Sequence, residues 1–399
     1  MKPNRPVRLP CRTATASLLL AATLSAAASA QEPSPTLPLI PQPQSLRVEA
    51  SGTFTPDTRT TLSGDAALAD TVRGVLSECA ALGALPSGRG GITVGKPSDP
   101  TDTLWKNGQA YLLRVRPAGV AIEAANRDGA RYAAHTLAQL IRIAPSVPAL
   151  TIRDWPAIPT RLAMIATDQG GFQVIDPEYW KRLIRELASY KINAIMPYFD
   201  GGTYKYRKYP FLGNKGEDGF TLEKARMLSE YAERHGVRLI PQQNSLGHLG
   251  GVLGHKELLH LRDGPGTINM VSPDALAFLD DLYDELVQAF PHAPAIHVGG
   301  DEFGHDFGKN PQVAARIAEL GKAGVYAAFM TSLRDRLRAR GRGMMIWKHE
   351  QGFTLEAADR MPRDIGVFDW NYGARPDYPS LDTRSEEHTS ELQSHGTIS

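Results

Sequence analysis

The stretch "AIHVGGDEFGHD", Ala295 to Asp306, runs from an apolar segment through two glycines into three carboxylates and a histidine. Its apolar start has the length of a short buried strand, and its polar residues fall where that strand ends. The same pattern recurs through the second part of the chain. "RLAMIAT", "INAIMPYF", "VRLIPQQ", "GMMIW" and "IGVFDW" are short apolar runs, and amphipathic segments such as "EYWKRLIRELASYK" and "SPDALAFLDDLYDELVQAF" lie between them. Buried strands alternating with helices predict parallel βαβ units. An open doubly wound sheet and a (β/α)8 barrel both fit. Asp200, Gln243, Asn244, Asp301, Glu302, Trp347 and Trp370 all stand at or just after strand ends. Polar and aromatic residues at the ends of many successive strands suit a barrel, whereas an open sheet gathers them at one switch point. No glycine-rich phosphate loop follows the first strand, which weakens a nucleotide-binding reading. The expected fold class is α/β: a (β/α)8 TIM barrel with about six strands present, preceded by a small α/β domain.

Adjacent side chains on a strand point to opposite faces, so Asp301 and Glu302 would not ordinarily share a task. Gly299 and Gly300 permit backbone angles that break the alternation. Both acids can then reach one cavity. An ordinary glycosidase places its two carboxyl groups on opposite sides of the sugar, about 5 Å or more apart. Neighbouring acids fit better with hydrolysis in which the sugar's own 2-acetamido oxygen attacks the anomeric carbon. One acid then orients the acetamido N–H while the other protonates the leaving oxygen. Two other readings compete: a polar turn at a strand end, and a zinc or manganese site built from His297, Asp301, Glu302, His305 and Asp306 with His248, His255 or His260. The histidine segments carry no HExxH-type motif, so no metal and no cofactor is expected. Trp347 and Trp370 each end an apolar run, where an indole ring can stack on a sugar face or pack in the core.

These segments resemble glycoside hydrolase family 20, the β-N-acetylhexosaminidases, over most of residues 36–372. "HVGGDE" is similar to the family's signature, "YLLRVRPAGVAIEAANRDGARYAAHTLAQLI" to its non-catalytic N-terminal domain, and "IRDWPAIPTR" to the junction with the barrel. "PQQNSLGH" and "LGGVLGHKEL" are closer to the hexosaminidase D-like branch. The resemblance implies a retaining exo-β-N-acetylhexosaminidase acting on terminal β-linked N-acetylglucosamine or N-acetylgalactosamine. It implies Glu302 as general acid/base and Asp301 as the residue that orients the acetamido group. It further implies Arg161, Asp200, His248, Trp347 and Trp370 as sugar-binding residues and His297 as a support within the strand. Leu162, Ala166 and Gln169 depart from the family's first-strand pattern, and Gln242 and Asn244 stand where the family's loop carries acids. Two alternatives follow from those departures and from the histidines: a carbohydrate-binding relative without activity, and a metal-dependent hydrolase.

The remaining organisation is read from composition. The chain has 399 residues and a net charge of +1, which gives no electrostatic case for nucleic acid or an acidic membrane. Residues 1–30 combine a basic start, an apolar stretch and "ASA", the features of a cleaved signal peptide, so export to the periplasm or the medium is expected, with no membrane span remaining. Residues 31–41 are a proline-rich linker, 42–152 the small domain, and 153–383 the barrel. Cys79 is then the only cysteine of the mature chain, and no internal disulfide is expected. "RSEEHTSELQSHGTIS", residues 384–399, resembles a translated sequencing adapter, so the barrel is expected to be cut off near Thr383 and the chain as written to show little activity. The partner is an oligosaccharide or glycoconjugate containing N-acetylhexosamine; the sequence does not set an oligomeric state.

Overall fold

The computed structural model describes residues 37–57, 59–78, 82, 91–167, 176–199, 203–213, 219–304, 307–348 and 352–370. The expected signal segment, Cys79 and the adapter-like tail lie outside them. No helix among the described residues is long and apolar enough to cross a membrane.

The first half forms one sheet from β1 (Ser45–Phe54), β2 (Leu62–Gly64), β3 (Gly91–Gly95), β4 (Tyr111–Arg116), β5 (Gly119–Ala124) and β6 (Val147–Asp154), in the order β1-β6-β4-β5-β3-β2. The "AYLLRVR" and "GVAIEAA" runs make a tight antiparallel hairpin, with Tyr111 opposite Ala124 and Arg116 opposite Gly119. Two helices, α1 (Ala66–Leu76) and α2 (Arg127–Ile143), belong with this sheet. Asn126 caps α2 by accepting from the Asp128 and Gly129 amides, and Tyr132, Leu137, Leu140 and Ile141 form part of its buried stripe.

The second half is a parallel half-barrel. Its strands are β7 (Leu162–Ala166), β8 (Ala194–Phe199), β9 (Arg238–Leu239), β10 (Gln242–Gln243), β13 (Ala295–His297), β14 (Gly343–Lys348) and β15 (Gly366–Asp369). The sheet runs β15-β14-β13-β10-β8-β7, with β9 also on β8, so β9 and β10 share one strand position interrupted at Ile240 and Pro241. Between them lie α3 (Pro177–Ser189), α4 (Leu222–Arg234), the short α5 (Gly250–Leu253), a β11–β12 pair (Arg262–Gly264 and Thr267–Ile268), α6 (Pro273–Ala289), α7 (Pro311–Ala339) and α8 (Leu355–Arg360). This confirms the barrel-type α/β fold over an open doubly wound sheet. Among the described residues β7 and β15 do not pair with each other, so both remain sheet edges. The helix starts follow their caps: Asp176 before Pro177, Thr221 before Leu222 and Ser272 before Pro273 each accept a first-turn amide. The "QVAARIAELGKAGVYAAFMTSLRDRLRARG" segment is not one straight helix. Gly321, at φ 72 and ψ 166, divides α7 in two.

Strand alternation sorts the two barrel faces. Ile195, Leu239, Ile296 and Ile346 face the helices and join the large core with Trp180, Phe220 and Tyr283. Ala194, Ile240, Ala295 and Met345 face inward with Leu162 and Phe368 and make a small inner layer. The two halves are tied by a buried ion pair. Lys191 Nζ lies 2.7 Å from Asp154 Oδ2 and 3.1 Å from the Tyr111 hydroxyl, with the Lys191 and Asp154 side chains only 7% and 9% exposed. Removing one partner leaves the other charge buried and unpaired. Asp154→Ala is therefore expected to lower stability by about 3–5 kcal/mol, read as a shift in the urea midpoint at unchanged slope.

Candidate active site

Asp301 and Glu302 follow β13 at the C-terminal edge of the half-barrel, where functional residues of parallel α/β barrels gather. The chain reaches them through two left-handed glycines, Gly299 at φ 73 and Gly300 at φ 101. A Cβ on Gly299 would stand 2.5 Å from Asn244 Oδ1, so this turn needs glycine for both its backbone angle and its packing. Glu302 itself adopts φ 46, a conformation that costs a non-glycine residue energy. The combined effect cancels the alternation that would send neighbouring acids to opposite faces.

Both acids converge on one nitrogen. His248 Nε2 lies 3.2 Å from Glu302 Oε2 and 3.8 Å from Asp301 Oδ2. The Asp301 side chain is 15% exposed and that of Glu302 51% exposed, so the pair has a sheltered member and an open one. His248 also has a left-handed backbone, at φ 55. It sits in the loop after β10, and Gly247 packs under Asp301: a Cβ there would stand 2.5 Å from the Asp301 carbonyl oxygen.

His297 supports this turn from the strand below. It is fully buried, its Nδ1 accepts the Gly299 amide at 3.1 Å, and its ring packs 4.4 Å from Trp347 and 5.5 Å from Phe368. Burial pushes its pKa down to about 3, so the ring is neutral in neutral solution. Trp347 is half-buried, and its amide donates to the Gly299 carbonyl at 2.9 Å. Trp370, half-buried, directly follows β15 at the same end of the sheet.

Arg161 does not join them. It precedes β7, at the strand end opposite to the carboxylates. Its guanidinium donates to the carbonyls of Lys191, Ile158 and Pro159 and to Gln109 Oε1, and lies over the Tyr132 ring. The sugar-binding role expected for Arg161 is therefore corrected: its donors are consumed in fastening the barrel to the small domain. Asp200, Gln169, His305 and Asp306 lie outside the described residues. His255 packs its ring 5.1 Å from Phe211, as a loop-packing residue. Among the described residues no group of three His, Cys, Asp or Glu side chains is arranged to hold a metal ion.

Two contributors were not read from the sequence. Tyr198, on β8, has its hydroxyl 3.0 Å from Asn244 Nδ2, which ties the β10 loop to the neighbouring strand. Tyr326, on α7, points its hydroxyl at the Gly300 carbonyl at 3.4 Å, and burial followed by the charge of Asp301 raises its pKa. Tyr198 ends an apolar run, the signal already used for the tryptophans. Tyr326 lies in an amphipathic helix and reads as core.

Against known proteins, the profile "Glycosyl hydrolase family 20, catalytic domain" matches residues 173–378, and "Glycosyl hydrolase family 20, domain 2" matches residues 36–155. The chain belongs to glycosyl hydrolase family 20. It is 24% identical over 305 residues to a beta-hexosaminidase of Vibrio furnissii, covering 65% of this chain and 48% of that one. It is 26% identical over 265 residues to the human beta-hexosaminidase subunit beta, covering 60% and 47%, and 24% identical over 179 residues to bovine hexosaminidase D, covering 42% and 52%. The fold is similar to that of the family 20 exo beta-N-acetylglucosaminidase of Vibrio harveyi in complex with N-acetylglucosamine, with a TM-score of 0.69 at 24% identity, over 84% of this chain and 57% of that one. The chain thus spans about half the length of the curated relatives it matches.

The buried neutral His297 makes a pH prediction. In the unfolded chain a histidine protonates near its ordinary value of 6.5, while in the folded chain it stays neutral down to about 3. The unfolded state therefore binds the extra proton between these values. Stability from this group is complete above about pH 6.5 and is lost as pH falls toward 3. His297→Gln is expected to remove up to about 1.4 kcal/mol per pH unit from the slope of stability across that window, measured by denaturant titrations at stepped pH.

Proposed function

We propose that this protein is an exo-β-N-acetylhexosaminidase that removes terminal β-linked N-acetylglucosamine or N-acetylgalactosamine by retaining, substrate-assisted hydrolysis. The observation that carries the proposal is the convergence of two sequence-adjacent carboxylates on His248 Nε2. That geometry puts both acids on one side of a site instead of across a sugar ring, which leaves the nucleophile to the substrate.

The roles follow from exposure. Glu302, the open member, gives its proton to the glycosidic oxygen as the bond to the anomeric carbon breaks. The acetamido oxygen of the same sugar forms the new bond to that carbon and closes an oxazolinium ring. Asp301, the sheltered member, accepts the acetamido N–H and offsets the positive charge that develops on it. Glu302 then takes a proton from the water that opens the ring, and the product keeps its anomeric configuration. The His248 ring, within reach of both carboxylates, holds them in register. Trp347 and Trp370, at the same end of the sheet, supply apolar ring surface for the sugar's C–H face. The names of the relatives support the substrate class, and the features of residues 1–30 support export to the periplasm or the medium.

A second reading has one observation in its favour. With the Arg161 guanidinium engaged at the opposite strand end, the pocket loses the cation expected to hold the sugar's hydroxyls. A carbohydrate-binding relative without turnover would bind N-acetylglucosamine and release it unchanged.

Hydrolysis of an aryl β-N-acetylglucosaminide separates the two. The enzyme reading expects turnover by the full-length parent, and expects Glu302→Gln in that parent to reduce kcat by about 10²–10⁴-fold with an unactivated leaving group. Near-normal turnover in that variant would overturn the assignment of Glu302. Saturable binding of N-acetylglucosamine with no turnover by the parent protein would favour the second reading.

A further inference from the structure

The stretch "PQQNSL", Pro241 to Leu246, carries three consecutive amides that the proposed chemistry does not use. All three side chains are buried: Gln242 is fully enclosed, and Gln243 and Asn244 are 4% and 2% exposed. Enclosed this way they do not touch a sugar, and each has to find its hydrogen bonds inside the protein.

Asn244 is where those bonds meet the turn that carries Asp301 and Glu302. Its Nδ2 donates to the Tyr198 hydroxyl on β8 at 3.0 Å, and its Oδ1 accepts from Gln242 Nε2 at 3.3 Å. The same oxygen faces Gly299: an added Cβ there would stand 2.5 Å from Oδ1 and 3.3 Å from Cγ of Asn244. Asn244 thus covers the Cα of the first left-handed residue of the turn. The other groups of Gly299 are held by His297 Nδ1, which accepts its amide, and by the Trp347 amide, which donates to its carbonyl.

The backbone around Asn244 is pinned as well. Gln243 Nε2 donates to the Asn244 carbonyl at 3.0 Å, while Gln243 Oε1 accepts from the Tyr206 hydroxyl at 2.6 Å. The Ser245 amide donates to the Val298 carbonyl at 3.0 Å, one residue before the turn, and Ser245 Oγ accepts from the Tyr283 hydroxyl at 2.7 Å. Tied on both sides, the Asn244 side chain has little freedom to withdraw from Gly299.

The chemistry of position 244 calls for an amide. Asn244 uses one donor and one acceptor in two directions, and an ionised carboxylate accepts only. Gln242 supplies the N–H that Asn244 Oδ1 takes, so the two departures from the family's acidic loop are matched to each other. The exchange also leaves this strand position neutral beneath the carboxylates. Gln242 registers with His297, whose pKa is held down by burial with no charged neighbour contributing.

We propose that Asn244, oriented by Gln242 and Tyr198, is the positioning residue that holds Gly299 in its left-handed conformation and so sets the direction in which Asp301 and Glu302 leave β13. The kinetic consequence rests on the hydrolase reading above; the contact itself does not.

Two measurements on the full-length parent test it. The first needs no turnover: a double-mutant cycle of urea midpoints for Gly299→Ala and Asn244→Ala. In the parent the new Cβ meets Asn244 Oδ1, and with Asn244→Ala in place that obstacle is gone. The midpoint loss caused by Gly299→Ala is expected to be smaller in the Asn244→Ala background. An equal loss in both backgrounds overturns the proposal. The second is the kinetics of Asn244→Leu, which keeps the shape of the side chain and removes both of its bonds. With an aryl β-N-acetylglucosaminide, kcat is expected to fall about 10–10²-fold at nearly unchanged KM, because the acids are displaced while the sugar's stacking surface stays. A kcat within about twofold of the parent's, or a loss carried by KM alone, overturns the proposal. Should Asn244→Leu fail to fold, the same kinetics are read on Asn244→Ala. Absence of turnover by the parent itself counts against the hydrolase reading, and the urea cycle then decides the contact alone.

Discussion

The candidate site depends on one backbone event: the chain leaves β13 through consecutive left-handed residues at Gly299 and Gly300 and takes a third such conformation at Glu302. A continued strand would send Asp301 and Glu302 to opposite faces, one inward and one into the helix layer. The turn brings both to His248, itself in the left-handed region. Of the three described non-glycine residues with positive φ, two are partners in this contact, while the third, Lys191, belongs to the inter-domain ion pair. Strain of this kind persists only where the surroundings over-determine it. Here the surroundings are His297 under the turn, Asn244 and Gly247 beside it, and Tyr326 behind it.

The supporting groups are neutral and buried, and the carboxylates are at the surface of that support. His297 is uncharged, Tyr326 is pushed further from ionisation, and Trp347 and Phe368 seal the ring of His297 on the inner face. The arrangement leaves the formal charges at the partly open end of the strands and keeps the scaffold beneath them free of competing ones. The small domain contributes from the opposite strand ends. Arg161 and the Lys191–Asp154 pair join it to the start of the barrel, and Arg131 joins it to the end of α4. The fastening residues and the candidate chemistry thus occupy different ends of the same parallel sheet.

Much of this was legible in the sequence because strand periodicity and end-of-strand polarity are local signals. The hairpin around Pro117 and Ala118, the caps at Asp176 and Ser272, and the position of Asp301 and Glu302 after a short apolar run were all visible without coordinates. What resisted reading was long-range. Arg161 was implied as a sugar-binding residue by the family resemblance alone, but which end of a strand a flexible guanidinium serves depends on Gln109, 52 residues away. Tyr326 could not be told from core because helix burial and site support give the same pattern in an amphipathic helix. The split of "VRLIPQQ" at Ile240 and Pro241, and of α7 at Gly321, arose from single residues within otherwise regular periods.

The central claim is that the adjacency of Asp301 and Glu302 works because the substrate provides the nucleophile. The most direct measurement is kcat/KM for aryl β-glucosaminides whose N-acyl group carries zero, one, two or three fluorines. Fluorine withdraws electrons from the amide oxygen without altering the leaving group. The account predicts a steep, monotonic fall in kcat/KM along the series. A flat series, with the trifluoroacetyl compound hydrolysed as fast as the acetyl one, would contradict it.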